Sequence, residues 1–162
     1  MRGCRSDMII TTVREVLKDC EDGIDHKVPC MYVVKDGTDV LYVGITKDCI
    51  ENRFWRHIDN LSPLGRLIKN KAKKVQELRV EIWEPRDWRK WGLSPRVNID
   101  ARKRIEVGDA ERIMIRRTRP PLNTMCNLRP RPVPDWIKKL IYHYDSDEEL
   151  EDVFRLVAQA LE

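Results

Sequence analysis

The apolar positions of this chain follow two rhythms, one of about 3.6 residues and one of two, and their succession predicts a mixed fold. Residues 6–20 carry Ile9, Val13, Val16 and Leu17 on one helical stripe. Residues 30–35, Cys-Met-Tyr-Val-Val-Lys, read as a strand, and residues 40–45, Val-Leu-Tyr-Val-Gly-Ile, as a second. Asp36-Gly37-Thr38-Asp39 between them is a turn signal, so a β-hairpin is expected. A helix follows over 49–61, with Ile50, Phe54, Ile58 and Leu61 as its apolar stripe. Ser62-Pro63 then starts another helix to about residue 74, because proline is favoured in a first turn. Residues 78–83, Leu-Arg-Val-Glu-Ile-Trp, alternate as a third strand. Residues 84–99 read as a loop rich in Trp, Arg and Pro. A long helix is expected over 100–118, stopping before Pro120-Pro121. Residues 126–134 read as a Pro- and Arg-rich linker to two closing helices, near 134–144 and 147–161. The predicted class is α+β: a three-stranded antiparallel sheet flanked by helices, with an additional helical C-terminal segment. The division expected is an N-terminal helical extension over 1–27, a central domain over 28–125, and a linker with C-terminal helices over 126–162.

Length and composition narrow this picture only slightly. A chain of 162 residues fits one domain with a short appendage. No stretch approaches the roughly 20 apolar residues of a membrane helix, and the N-terminus lacks a secretory pattern, so a soluble intracellular protein with no membrane partner is expected, cytoplasmic or, in a eukaryote, nuclear. The five cysteines are scattered without metal-ligand spacing and read as free thiols. Charge is more informative. The net charge is +4, but residues 145–162 alone contribute −6, so the remainder carries +10. A body that basic suits a polyanion such as nucleic acid.

Several positions could carry chemistry. Tyr32 and Tyr42 lie on the two hairpin strands, and the register decides whether they meet. A two-residue loop at Asp36-Gly37 pairs residue 31 with 42 and separates the tyrosines. A three-residue loop, 36–38, sets Tyr32 directly across from Tyr42. On one face they could orient a water; the ordinary alternative is two half-buried strand tyrosines. Arg53 and His57 stand one helical turn apart. Arg53 could hold a phosphate and His57 could move a proton, or both could be plain surface-helix residues. Glu111 sits among Val107, Gly108, Met114 and Ile115 on its predicted helix. A carboxylate there needs an arginine partner or a cation, and a lone carboxylate with waters and substrate oxygens suits Mg²⁺, with Mn²⁺ as a substitute. Trp83, Arg86, Trp88, Arg89, Lys90, Trp91 and Arg96 interleave aromatics with cations, a pattern that can stack on bases and touch phosphates or simply roof a core. The helical face of Val153, Leu156, Val157, Ala160 and Leu161 could pack on the domain, on a second copy or on a protein partner.

In their order, these pieces resemble the GIY-YIG nuclease family. Cys30-Met31-Tyr32 stands at the first motif and Tyr42-Val43-Gly44 at the second. YVGITKDCIENRFWRHI is similar to the family's block running from the second tyrosine into its helix, and AERIMIRRTRPPLN, residues 110–123, to its stretch from metal-binding Glu to Asn. The likeness spans about residues 28–125. Cys30 and Met31 replace the usual Gly and Ile, and Arg53 lies one residue farther from Tyr42 than is usual. The resemblance implies a DNA endonuclease using one metal ion. Tyr32 would act as or beside the general base, Tyr42 would position the water or phosphate, and Arg53 would stabilise the transition state. His57 would be an auxiliary, Glu111 would hold the metal, and Gly44 and Asn123 would form the framework. Lys47, Arg56, Trp88, Arg89, Lys90 and Arg96 are the residues expected along the nucleic acid. The alternative is a module of the same fold that binds nucleic acid or a partner without cutting.

Overall fold

A run of four β-branched residues, Ile9-Ile10-Thr11-Thr12, favours extended backbone, and strand β1 (Ile9–Thr12) is what it forms. In the computed structural model, residues 8–24, 30–84 and 107–141 are described. Helix α1 (Val13–Glu21) starts where Thr12 caps it: the Glu15 N–H donates to the Thr12 hydroxyl and the Thr12 N–H to the Glu15 carboxylate, each at 3.3 Å. The helix expected over 6–20 therefore begins at 13, and its N-terminal part is a strand. Val13 and Val16 still face inward, as their stripe predicted.

Strands β2 (Cys30–Asp36) and β3 (Asp39–Thr46) form the hairpin. Helix α2 (Ile50–Asp59) follows, then α3 (Pro63–Lys69), capped by the Ser62 hydroxyl. The single helix expected to residue 74 is broken at Asn70, whose backbone is extended, and α4 (Lys73–Gln76) is a separate turn. Strand β4 (Arg79–Trp83) and helix α5 (Val107–Thr118) complete the elements up to the prolines. Among the described residues the fold is α+β, and the sheet is antiparallel with four strands in the order β1-β4-β2-β3. The fourth strand is β1, the segment read as helix.

Both faces of the sheet are covered, so the inner strands do not alternate between buried and exposed residues. Residues 30–34 of β2 are all buried. Tyr32 and Val34 look toward α2, with Phe54 edge-on to Tyr32 at 5.7 Å between centroids. Met31, Val33, Val43 and Trp83 pack with Ala110, Met114 and Ile115 of α5 on the opposite face. Buried Glu81 on that second face is fully partnered, by Lys35 at 3.0 Å, Arg79 at 2.9 Å and the Trp83 indole at 3.3 Å.

The hairpin register differs from both expected loops. Asp36 pairs with Asp39, so the loop is Gly37-Thr38, with Gly37 at φ +59°. A shift between Val34 and Lys35 then leaves Leu41 as an extra residue on β3, and Tyr42 pairs with Val34 while Gly44 pairs with Tyr32. The tyrosines share a face as diagonal neighbours, not as a direct pair.

The chain divides into two compact units, Met1–Arg131 and Pro132–Glu162. In the first, the segment after α5 is tied down: Arg131 N–H donates to Arg119 O at 3.0 Å, its guanidinium bonds Val40 O, and Asn127 donates to Pro120 O at 2.7 Å. In the second, residues 135–141 are helical. The helix expected over 147–161, the Trp- and Arg-rich segment from residue 85 on and the start of the helix expected at 100 lie outside the described residues. Among the described residues no helix is long and apolar enough to cross a membrane.

Candidate active site

Strand β3 is an edge of the sheet, so a cleft can wrap around it and draw on helices from both faces. Such a cleft, of about 530 Å³, is lined by Tyr42 and Ile45 of β3, Arg53, Arg56 and His57 of α2, Glu111 and Arg112 of α5, and Asn123 beyond α5. A smaller hollow of about 300 Å³ shares Arg53 and Arg56 with it and adds Lys47. Tyr42, Arg53, His57, Glu111, Lys47 and Arg56, drawn from separate elements, are thus brought together. Trp88, Arg89, Lys90 and Arg96 lie outside the described residues.

Tyr32 sits one layer deeper. It is 0% exposed and does not line the cleft. Its ring stacks on Tyr42 at 6.1 Å, and its hydroxyl meets His57 Nε2 at 2.8 Å. Tyr42 faces the cleft and crosses His57 edge-on at 5.2 Å. Gly44 makes this packing possible, because a Cβ there would overlap Cζ and Oη of Tyr32.

The helix carrying Arg53 and His57 does not bury the stripe expected of it. Ile50 and Phe54 are buried, but so are Glu51 and His57, while Ile58 is half-buried and Leu61 is 49% exposed. Helix α2 ends at Asp59, and Leu61 takes a left-handed φ of 49°, which turns it away from the stripe. The same turn brings Ser62 back to His57, with Ser62 Oγ 2.7 Å from Nδ1. Gly65 lets α3 approach there, since a Cβ would run into the His57 carbonyl.

Burial pushes the Tyr32 hydroxyl well above the usual tyrosine range, against the pull of Arg53. Burial raises Tyr42 too, again opposed by Arg53. Burial alone would weaken the Arg53 charge, yet the phenol oxygens beside it more than offset this and its pKa rises. His57 is lowered to about 4 by burial and then by Arg53, so it is neutral at pH 7. Burial raises Glu111, with Arg53 and Arg112 pulling it down. These mutual effects place Tyr32, Tyr42, Arg53 and Glu111 within electrostatic reach of one another, although α2 and α5 cover opposite faces.

Asn123 anchors the edge. Its Oδ1 accepts from Val43 N–H at 2.9 Å and its Nδ2 donates to Val43 O at 2.8 Å, which supplies the pair of bonds a neighbouring strand would make. With both amide ends engaged, Asn123 is framework rather than a free ligand. Among the described residues no three His, Cys, Asp or Glu side chains gather as a metal-holding group. Among the described residues, what the cleft offers a cation is the one carboxylate of Glu111. That set fits Mg²⁺, which keeps several waters and commonly takes one or two carboxylates plus phosphate oxygens. It does not fit zinc, which needs three or four protein ligands.

Among the described thiols Cys126, exposed, lines the cleft, whereas Cys20, Cys30 and Cys49 do not. Cys30 is buried at the start of β2 and burial pushes it up to about 12, so it is inert near neutrality. Cys20, Cys49 and Cys126 are likewise thiols outside any disulfide. Ser62 is the cleft residue that sequence reasoning read only as a helix cap.

Comparison with protein-family models, with curated proteins and with solved structures finds no match for this chain.

Proposed function

We propose that this protein is a metal-dependent endonuclease of the GIY-YIG type that hydrolyses phosphodiester bonds in DNA. The observation that carries the reading is the convergence on one cleft of a phenol, a guanidinium, an imidazole and a lone carboxylate from β3, α2 and α5. Further support comes from Lys47, Arg56 and Arg112, which add cations along the cleft and its side hollow. A phosphate between them would meet charge on two sides.

In this reading the attacking water lies on Tyr42, because Tyr42 faces the cleft and Tyr32 does not. The role the resemblance gives to Tyr32 shifts inward, to holding Tyr42 and His57 in place. As the water attacks phosphorus, a new P–O bond forms, the opposite P–O bond to the sugar breaks with the departing oxygen taking a proton from solvent, and a water proton passes to the Tyr42 oxygen. A neutral phenol is a poor base, so Tyr42 must release its own proton in the same motion, toward Tyr32 and His57. Arg53 favours this by stabilising negative charge on either phenol oxygen and on the phosphorane oxygens. Glu111 would hold a divalent cation, whose chemistry there would be to supply positive charge to the phosphate and the departing oxygen.

Supercoiled plasmid incubated with purified protein and Mg²⁺ or Mn²⁺ tests this directly. Nicked and linear products are expected, lost with Glu111→Ala, Arg53→Ala and Tyr42→Phe. A protein that retards DNA without ever nicking it would instead be a binding module of the same fold.

A further inference from the structure

The interior around Tyr32 is poor in hydrogen-bond acceptors. Arg53 brings only donors, and its buried Nε–H has no partner. Tyr32 and Tyr42 each bring a hydroxyl hydrogen that must be placed. The Tyr32 oxygen has His57 Nε2 2.8 Å away. A neutral imidazole has one N–H and one lone pair, so the partner of Nδ1 decides what Nε2 presents. That partner is Ser62 Oγ at 2.7 Å, itself held by the Gly65 N–H at 3.0 Å. A hydroxyl oxygen has a second lone pair free, and Ser62 lines the cleft, where its own hydrogen can reach solvent. An Nδ1–H on Ser62 leaves the lone pair of Nε2 for the phenol. The opposite tautomer would aim another donor at the Tyr32 oxygen, which already faces the charge of Arg53.

We infer that Ser62 is a positioning residue: its hydroxyl accepts the Nδ1–H of His57 and fixes the tautomer whose Nε2 receives the Tyr32 hydroxyl hydrogen. The chain Gly65–Ser62–His57–Tyr32 then gives the Tyr42 proton a defined route. It passes to Tyr32, whose hydrogen passes to Nε2, leaving an imidazolium whose second N–H is held by Ser62. The imidazolium returns a proton to solvent after product leaves. The tautomer stands on the hydrogen bonds alone; its catalytic consequence rests on the nuclease reading of the cleft.

The ¹⁵N shifts of His57 in the full chain at neutral pH, read through their ring-proton couplings, test the tautomer. Wild type should show protonated Nδ1 and unprotonated Nε2. Ser62→Gly removes the hydroxyl yet keeps an accepted N-cap residue, so the fold should hold. It should shift His57 toward the Nε2–H form, and Ser62→Thr should restore the wild-type pattern. In plasmid cleavage, Ser62→Gly should lower turnover by roughly ten- to a hundred-fold with little change in KM, as for loss of a histidine-orienting partner. Threonine should restore it. An Nε2–H or charged His57 in wild type, or an unchanged tautomer in Ser62→Gly, overturns the assignment. Should Ser62→Gly not fold, the wild-type and Ser62→Thr spectra still decide. Complete lack of cleavage by wild type would remove the nuclease reading and leave the spectrum to judge the tautomer.

Discussion

Beneath the Tyr32 ring, β3 has no room for a side chain. A methyl at Gly44 would overlap that ring and lie 2.8 Å from the Tyr42 ring. Gly44→Ala should therefore cost about 1–3 kcal/mol, the usual price of overpacking, and should disturb both tyrosines. Denaturant melts measure this, and an unchanged midpoint would mean the rings are not pressed against β3. His57 offers a second residue-level test. Its folded pKa of about 4 lies below the ordinary 6.5, so the unfolded chain binds its proton first as pH falls. Its contribution is complete above pH 6.5 and is lost as pH falls through 4, on the order of 1–3 kcal/mol. Glu111 works in the opposite sense: its raised pKa means stability is lost as pH rises through that value. Melting between pH 7 and pH 4 should thus fall more steeply in Glu111→Gln than in wild type, and less steeply in His57→Asn. Much of this site was legible in the sequence. The spacing of Arg53 and His57 put them side by side, and Glu111 stood out as a carboxylate among apolar neighbours. The depth of Tyr32 and Tyr42 was not legible, because it turns on one bulge residue, Leu41, that no turn signal announces. Nor was Ser62 legible as a partner of His57, since it lies five residues on, beyond a left-handed Leu61.

Among the elements, β3 matters most, for it carries Tyr42 and Gly44 at a sheet edge. An edge strand needs something to satisfy its outward N–H and C=O groups. Leu122 N–H bonds Leu41 O at 3.1 Å, and Asn123 takes both polar groups of Val43. Asn123→Leu should leave both Val43 groups unpaired in a buried setting. A loss of roughly 1–3 kcal/mol per unsatisfied group is the ceiling, and some relaxation will reduce it. Hydrogen exchange at Val43 should speed up more than at Val33, on the neighbouring strand. Equal changes at both would show that Asn123 does not act through the edge. The hairpin and β4 were legible because apolar runs and an Asp-Gly turn are strong local signals. Strand β1 was hidden by overlap: Val13 and Val16 do belong to a helical stripe, and Ile9 extends it by coincidence. Four successive β-branched residues and the Thr12-to-Glu15 capping box carried the boundary. The break at Asn70 was missed because Leu64 to Lys74 has no proline or glycine beyond the first turn to mark it.

Across the whole molecule, charge is the property that bears on a nucleic-acid partner. Outside the acidic 145–162 segment the chain carries +10, yet many of those cations are already engaged. Lys35 and Arg79 hold Glu81, and Lys73 pairs with Glu77 at 3.8 Å on α4. Lys47 and Arg56, in contrast, border the hollow that opens beside Arg53. If DNA lies along that hollow, each contact displaces condensed counterions, and the slope of log affinity against log salt reports it at about 0.9 per phosphate. Removing Glu111's contribution with Glu111→Gln keeps cleavage from complicating the titration. In that background Arg56→Ala and Lys47→Ala should each weaken binding and flatten the slope by roughly one. Lys73→Ala changes net charge by the same amount at a site away from the cleft, so it should leave the slope unchanged. A general attraction between a basic body and a polyanion would treat the three lysine and arginine losses alike. Equal slopes in all three variants would therefore move DNA away from the Tyr42 cleft, and the proposed chemistry with it.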